Sequence, residues 1–347
     1  MDNMLCKKYF AASNSANGFV NYFSQIFNVE NCSKIYIIKG GPGTGKSRFM
    51  RDVADEAELR GMNVSYYYCS SDSSSLDGIL IDELRVGLLD GTAPHCFEPT
   101  LVGAFEEIVN LGDFWDSSVL EENKDAIKKL VLEKSRGYAR AYSLLSAYGK
   151  LMETEEKIVA PLLNKSKLSS SVKRLLHGLP AGNDFKKETA LLRALGMNGE
   201  TEFKSFEQEA NTVFHVTDKF HTAFFILNEV VKAAEAQRLS LKISYDPITP
   251  WRVDAVLLSD FKIAFVCGDG SDRRINSMRF FDKEGYREAR ESLKKLEVEA
   301  QNIRALVLST FEEIKGYHFT IEEIYSSAMD FSRKEEFVKK FIKKLFK

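Results

Sequence analysis

The sequence predicts an α/β protein made of two related units, each a sheet-and-helix core followed by a helical extension. Three observations predict it. A β-branched and aromatic run leads through a glycine-rich loop into an amphipathic helix over residues 34–60. A segment of 14 residues in the first half recurs in the second at a constant offset of 177. After each core, charged and apolar residues alternate at helical spacing.

In the first unit, Lys34-Ile35-Tyr36-Ile37-Ile38-Lys39 reads as a buried strand. It runs into Gly40-Gly41-Pro42-Gly43-Thr44-Gly45-Lys46-Ser47, which satisfies G-x-x-x-x-G-K-[ST]. Arg48 to Arg60 follows as a helix, with Phe49, Val53 and Ala57 on one face and Gly61 ending it. Strand, loop and helix in this order are the setting of a P-loop. The glycines let consecutive N–H groups turn inward around a phosphate, and the helix N-terminus adds its dipole. Gly40 to Arg48 are therefore the expected nucleotide-binding residues. Lys46 is placed to reach the β- and γ-phosphates, and the Ser47 hydroxyl to bind Mg²⁺.

Such a loop needs an acidic residue at the end of a neighbouring strand. Arg85 to Asp90 reads as a strand ending in Asp90 and feeding Gly91-Thr92-Ala93-Pro94-His95, and Asp90 is the favoured Mg²⁺ ligand. The alternative is Ile79-Leu80-Ile81-Asp82-Glu83, with Glu83 as a water-activating base. Val64 to Cys69 reads as a strand opening on a Ser/Asp-rich loop. Asp72 and Asp77 in that loop are candidates to hold metal, orient water or bind a substrate hydroxyl, although turn chemistry explains the same residues. His95 is a further candidate to face the ligand.

The repeat brings Leu76–Leu89 onto Val253–Val266, with Asp77 on Asp254. Further on, Ile127-Lys128-Lys129-Leu130 falls on Leu293-Lys294-Lys295-Leu296, and Trp115-Asp116 on Phe281-Asp282, at an offset of 166. The difference, 177 − 166 = 11 residues, is lost where the first unit carries Gly91 to Gly103. At the first offset the glycine loop meets Thr217 to Phe224, which holds no glycine; Ala223 stands for Lys46, and Cys267 for Asp90. The second unit thus reads as a degenerate partner that binds no nucleotide. The expected division is residues 1–165 with a helical arm at 117–165, a linker at 166–200, and the second unit at 201–347 with its C-terminal helices.

With these residues in place, the chain resembles a bacterial family of tandem-repeat P-loop proteins described as ATPase-like or nucleotide-kinase-like. The segments that carry the resemblance are Lys8-Tyr9-Phe10-Ala11, Asn17-Gly18-Phe19 and Lys39 to Ser47. They continue with Cys69 to Asp72, Ser75 to Gly78 and Asp90 to His95. It covers most of residues 7–165 and implies a P-loop fold and ATP binding, without naming a substrate. In that family the second half is usually a P-loop unit too; here it is not.

Composition narrows the classes. With 48 Lys+Arg against 50 Asp+Glu in 347 residues, no chain-wide basic surface awaits nucleic acid. The five cysteines form no CxxC pair, no apolar run approaches a membrane span, and the N-terminus lacks the apolar core of a signal peptide. A cytoplasmic protein with reduced thiols is expected. Glu336 to Lys347 is a basic amphipathic helix that either docks on its own domain or touches an anionic membrane surface or nucleic acid. The expected activity is Mg²⁺-dependent ATP hydrolysis at the first unit, coupled to a conformational change and serving an unidentified protein or small-molecule partner. The alternatives are a small-molecule or nucleotide kinase, which the scarcity of arginine in residues 91–163 disfavours, and a nucleotide-sensing scaffold with little turnover. ATP is preferred to GTP because no N-K-x-D segment is found.

Overall fold

The computed structural model describes residues 7–93, 97–182, 185–270 and 273–347. The first unit runs β1 (Lys7–Phe10), the hairpin β2 (Ala12–Ser15) and β3 (Gly18–Asn21), α1 (Phe23–Ile26), β4 (Lys34–Lys39), α2 (Lys46–Leu59), β5 (Val64–Tyr68), β6 (Leu76–Ile81), β7 (Val86–Asp90) and β8 (Glu106–Asn110). Then come α3 (Ser117–Glu122), the long arm α4 (Lys124–Val159) and α5 (Lys165–Leu175). The second unit repeats this series: β9 (Lys187–Thr189), β10 (Arg193–Gly196), β11 (Gly199–Glu202), α6 (Ser205–Glu209), β12 (Thr212–Val216), α7 (Ala223–Ala236), β13 (Leu241–Tyr245), β14 (Val253–Leu258), β15 (Ile263–Cys267) and β16 (Arg273–Ile275). It ends with the arm α8 (Lys283–Ser327) and α9 (Phe331–Leu345).

Both units carry a sheet of six strands in the same order, β1-β5-β6-β7-β4-β8 and β9-β13-β14-β15-β12-β16. In each, three neighbouring strands form an antiparallel meander and the flanking pairs are parallel. The expected two-unit α/β architecture is therefore present. Its details repeat as well. Arg85 and Lys262, 177 apart, both take left-handed φ, at 54° and 51°, in the turn between the second and third strands of the meander. Asp116 and Asp282, 166 apart, both accept backbone N–H groups at the start of the extensions.

Side-chain alternation along β4 explains the layering. Ile35 and Ile37 join a core shared with Ala255, Leu257, Ala264 and Val266 of the other sheet. Tyr36 and Ile38 join the outer core with Phe49 and Val53 of α2. Two sheets thus stack on a common core, each covered outside by helices. At the junction Phe10 and Leu191 exchange both backbone hydrogen bonds, at 2.8 and 3.2 Å.

The arms lie antiparallel: Trp115 pairs with Met329, Lys134 meets His318, and Leu163 pairs with Phe281. Their seam buries Ala141, Leu145, Phe311 and Ile314, whereas Val131 is 50% exposed. Gly137 lets them approach, since a Cβ there would stand 2.6 Å from Ile314. Because each arm spans the pair of units, its terminal helix docks on the other one. Leu168 and Val172 of α5 sit in the second unit's core; Val338 and Phe341 of α9 sit in the first unit's. The stretch 166–200, expected as a linker, holds among its described residues α5, capped by Asn164, and then β9 and β10. The C-terminal helix docks on its own chain, with Lys339, Lys340, Lys343 and Lys344 outward and Lys334 buried.

Candidate functional site

Strand directions decide which residues can meet. β4 and β7 run parallel, with Ile38 beside Asp90, so the Gly40–Gly45 turn and Asp90 lie at one end of the sheet. β6 runs antiparallel to β7, which brings its first residues, Leu76 and Asp77, to that same end. Its last residue and the following Asp82-Glu83 go to the opposite end. There Asp82 pairs with Lys7 at 2.8 Å, and Glu83 accepts the Asn63 backbone N–H at 2.8 Å. The structure does not bring Glu83 to the glycine loop. His95, together with Pro94, lies outside the described residues.

The loop itself depends on glycine. Gly43 and Gly45 have φ of +73° and +81°, a region that L side chains rarely adopt. Lys46 begins α2 and folds back, donating to the Gly40 and Gly41 carbonyls at 2.8 Å each. Its Nζ also lies 3.5 Å from Asp90 Oδ2. Burial pushes the Asp90 carboxyl up, and nearby Asp77 adds to this; Lys46 and two hydrogen bonds from Thr92 oppose it. Thr44 Oγ1 closes the turn on the Gly41 carbonyl at 2.8 Å. Ser47 Oγ accepts the Leu76 N–H at 3.0 Å, which ties α2 to β6. Arg48 points away, pairing with Asp52 at 2.8 Å with its side chain 73% exposed.

Asp72 and Asp77 are both buried at this end. Asp72 accepts from Ser75 Oγ at 2.6 Å, Ser74 Oγ at 2.7 Å and Asn198 Nδ2 at 2.7 Å. Burial opposes its ionisation, yet these donors win and hold the carboxyl below its usual range. Asn198 belongs to the β10–β11 hairpin of the second unit, which lies on the loop after β5: Met197 N donates to the Ser71 carbonyl at 2.7 Å. The degenerate unit therefore builds part of the first unit's site.

Three charged or polar groups come from the arms. Lys134 Nζ meets His318 Nδ1 at 3.2 Å, and His318 Nε2 lies 3.5 Å from Glu322 Oε1. The Glu322 carboxylate receives the Gly43 backbone N–H and feels Lys46 and Lys134. Burial, with help from Lys134, pushes His318 down to about 4, so its ring is neutral. Nothing in the loop motif announces these residues. The signal was in the arms: Lys134 stands at four-residue spacing between Leu130 and Tyr138, and a charge on an apolar stripe needs a partner.

The second unit shows what replaces such a site. Phe220 and His221 keep left-handed backbone, with φ of 51° and 47°, despite having side chains. Asp218 Oδ1 takes the Ala223 N–H at 2.9 Å, filling the start of α7 with the chain's own anion. Asp254, the counterpart of Asp77, is paired with Arg193.

Among known families, the model described as Nephrocystin 3, N-terminal, matches residues 21–81, the stretch from β3 to the end of β6 that contains the glycine loop. It is a different family from the bacterial one that the sequence resembles, and it leaves the second unit outside. No curated protein and no solved structure matches the chain.

Proposed function

We propose that the chain is a Mg²⁺-dependent P-loop NTPase that binds and hydrolyses ATP at Gly40–Ser47 of the first unit. The observation that carries this reading is the placement of Lys46, which begins a helix after a left-handed glycine turn and lies between two loop carbonyls and Asp90. The N–H groups of the turn and of the helix start favour a polyphosphate. Lys46 would exchange the Gly40 and Gly41 carbonyls for phosphate oxygens. The Ser47 hydroxyl and the Asp90 carboxylate are hard oxygen donors of the kind Mg²⁺ takes, and they would hold it. When bound, the ion neutralises charge on the phosphates. Asp72 and Asp77, at the same end, are the groups able to orient an attacking water.

The local match to the nephrocystin 3 N-terminal model and the resemblance to the bacterial tandem-repeat P-loop family both fall on this loop. Free Cys32, Cys69 and Cys267 fit a reducing, cytoplasmic setting. Among the described residues no helix is long and apolar enough to cross a membrane. A second reading, a nucleotide sensor with little turnover, is favoured by the α8–α9 turn lying on the loop, where Tyr325 abuts Gly41. Incubating the chain with Mg·ATP, with and without a mixture of nucleosides, nucleotides and small alcohols, tests the reading. Free phosphate without an acceptor supports hydrolysis. ATP consumed only with one acceptor makes the chain a kinase, and stoichiometric binding without turnover makes it a sensor.

A further inference from the structure

The anion place at the glycine loop is filled from within the chain. Gly43 directs its N–H at the Glu322 carboxylate, which is linked through His318 to Lys134. Lys46 is close enough to be felt by all three. A lysine from α4 is thus linked through His318 to a carboxylate from α8 beside the loop that holds Lys46, whose own ion-pair partner is Asp90. Lys134 is half-buried, and burial pushes its ammonium down despite Glu322. In the second unit the comparable place at the start of α7 is filled by Asp218. There the anion comes from the loop itself; in the first unit it comes from a separate arm.

We infer that Lys134 is a phosphate ligand delivered by arm α4, and that Glu322 holds its place until a nucleoside polyphosphate displaces it. This rests on the nucleotide reading above and deepens it. A polyphosphate carries more charge than one carboxylate and offers more acceptor oxygens to two ammonium groups and the loop N–H groups. Displacing Glu322 also moves the end of α8. Tyr325 stands 2.6 Å from where a Gly41 Cβ would be, the Glu322 carbonyl abuts Gly43, and Lys334 at the start of α9 abuts Gly45. Polyphosphate binding is thereby tied to the α8–α9 turn, and through α9 to the outer face of the first sheet.

Calorimetric titration of the full chain with Mg·ATP and with AMP tests this. Lys134→Ala is expected to weaken Mg·ATP about tenfold, the loss of one charge-assisted contact, and to leave AMP unchanged. Lys134→Arg is expected to keep the affinity, and Glu322→Gln to tighten Mg·ATP. If folded Lys134→Ala and Glu322→Gln both bind Mg·ATP like wild type while Lys46→Ala does not, the inference falls and the nucleotide reading stands. Should Lys134→Ala fail to fold, unchanged affinity in Glu322→Gln alone overturns it. Wild type that binds neither Mg·ATP nor Mg·GTP removes the nucleotide reading, and this inference with it.

Discussion

Asn198 donates to Asp72 Oδ1 at 2.7 Å, so a residue of the unit without a glycine loop fixes a carboxylate beside the unit that has one. The second unit thus contributes directly to the candidate site of the first. Its hairpin supplies the wall of the first site, and its arm supplies His318 and Glu322. Asn198→Ala is expected to cost about 1–2 kcal/mol in a thermal melt, because it removes a hydrogen bond to a buried charge. Turnover should fall with it. A variant with unchanged melting and turnover would leave the hairpin as mere packing.

Gly43→Ala and Gly61→Ala separate backbone strain from a blocked approach. Both glycines have left-handed φ, at +73° and +79°, but a Cβ at Gly61 meets nothing within 4 Å. Gly61→Ala should therefore cost only about 1–2 kcal/mol of conformational strain. Gly43→Ala adds a collision with the Glu322 carbonyl and should cost clearly more, with loss of nucleotide binding. Equal melting temperatures would show that the α8 contact is not maintained in solution.

Ala223→Lys restores the lysine of the motif to the second unit but should create no second site. Ala223 is buried in the core of that unit and its N–H is already taken by Asp218. The variant is expected to lose several kcal/mol of stability, as an unpaired buried charge does, and to bind no additional nucleotide per chain by calorimetry.

Much of this was legible in the residues because it is local. A strand, a glycine loop and a helix are contiguous, and the two offsets, 177 and 166, marked the repeat and the shortened connection after Cys267. Glu83 went astray because strand direction is not local: an antiparallel β6 sends its end to the far side of the sheet. The exchange of α5 and α9 between units was hidden for a related reason. Leu168 and Lys334 are equivalent at offset 166, but which sheet each helix covers depends on how far the arms reach.

His318 makes the closure of the arms pH-dependent. Its neutral form is favoured in the fold, where its value drops from 6.5 to about 4. Its contribution to stability is therefore complete above pH 6.5 and is lost as pH falls toward 4. Lys134, Lys46, Asp72 and Glu322 are the charged groups around it. Glu322 is shifted upward by burial and acts in the opposite sense, favouring the fold at the acid end, so the test is a difference. Melts of wild type and His318→Gln should diverge between pH 6.5 and 4, with the wild type steeper. Parallel curves would place the ring outside the closed seam.

The most direct test of the nucleotide site is phosphate release from Mg·ATP by purified wild type and Lys46→Ala under identical conditions. The account predicts turnover by wild type and its loss in the folded variant, because Lys46 contacts the loop carbonyls and Asp90. Turnover that survives Lys46→Ala in clean protein would contradict it and move the chemistry away from the glycine loop.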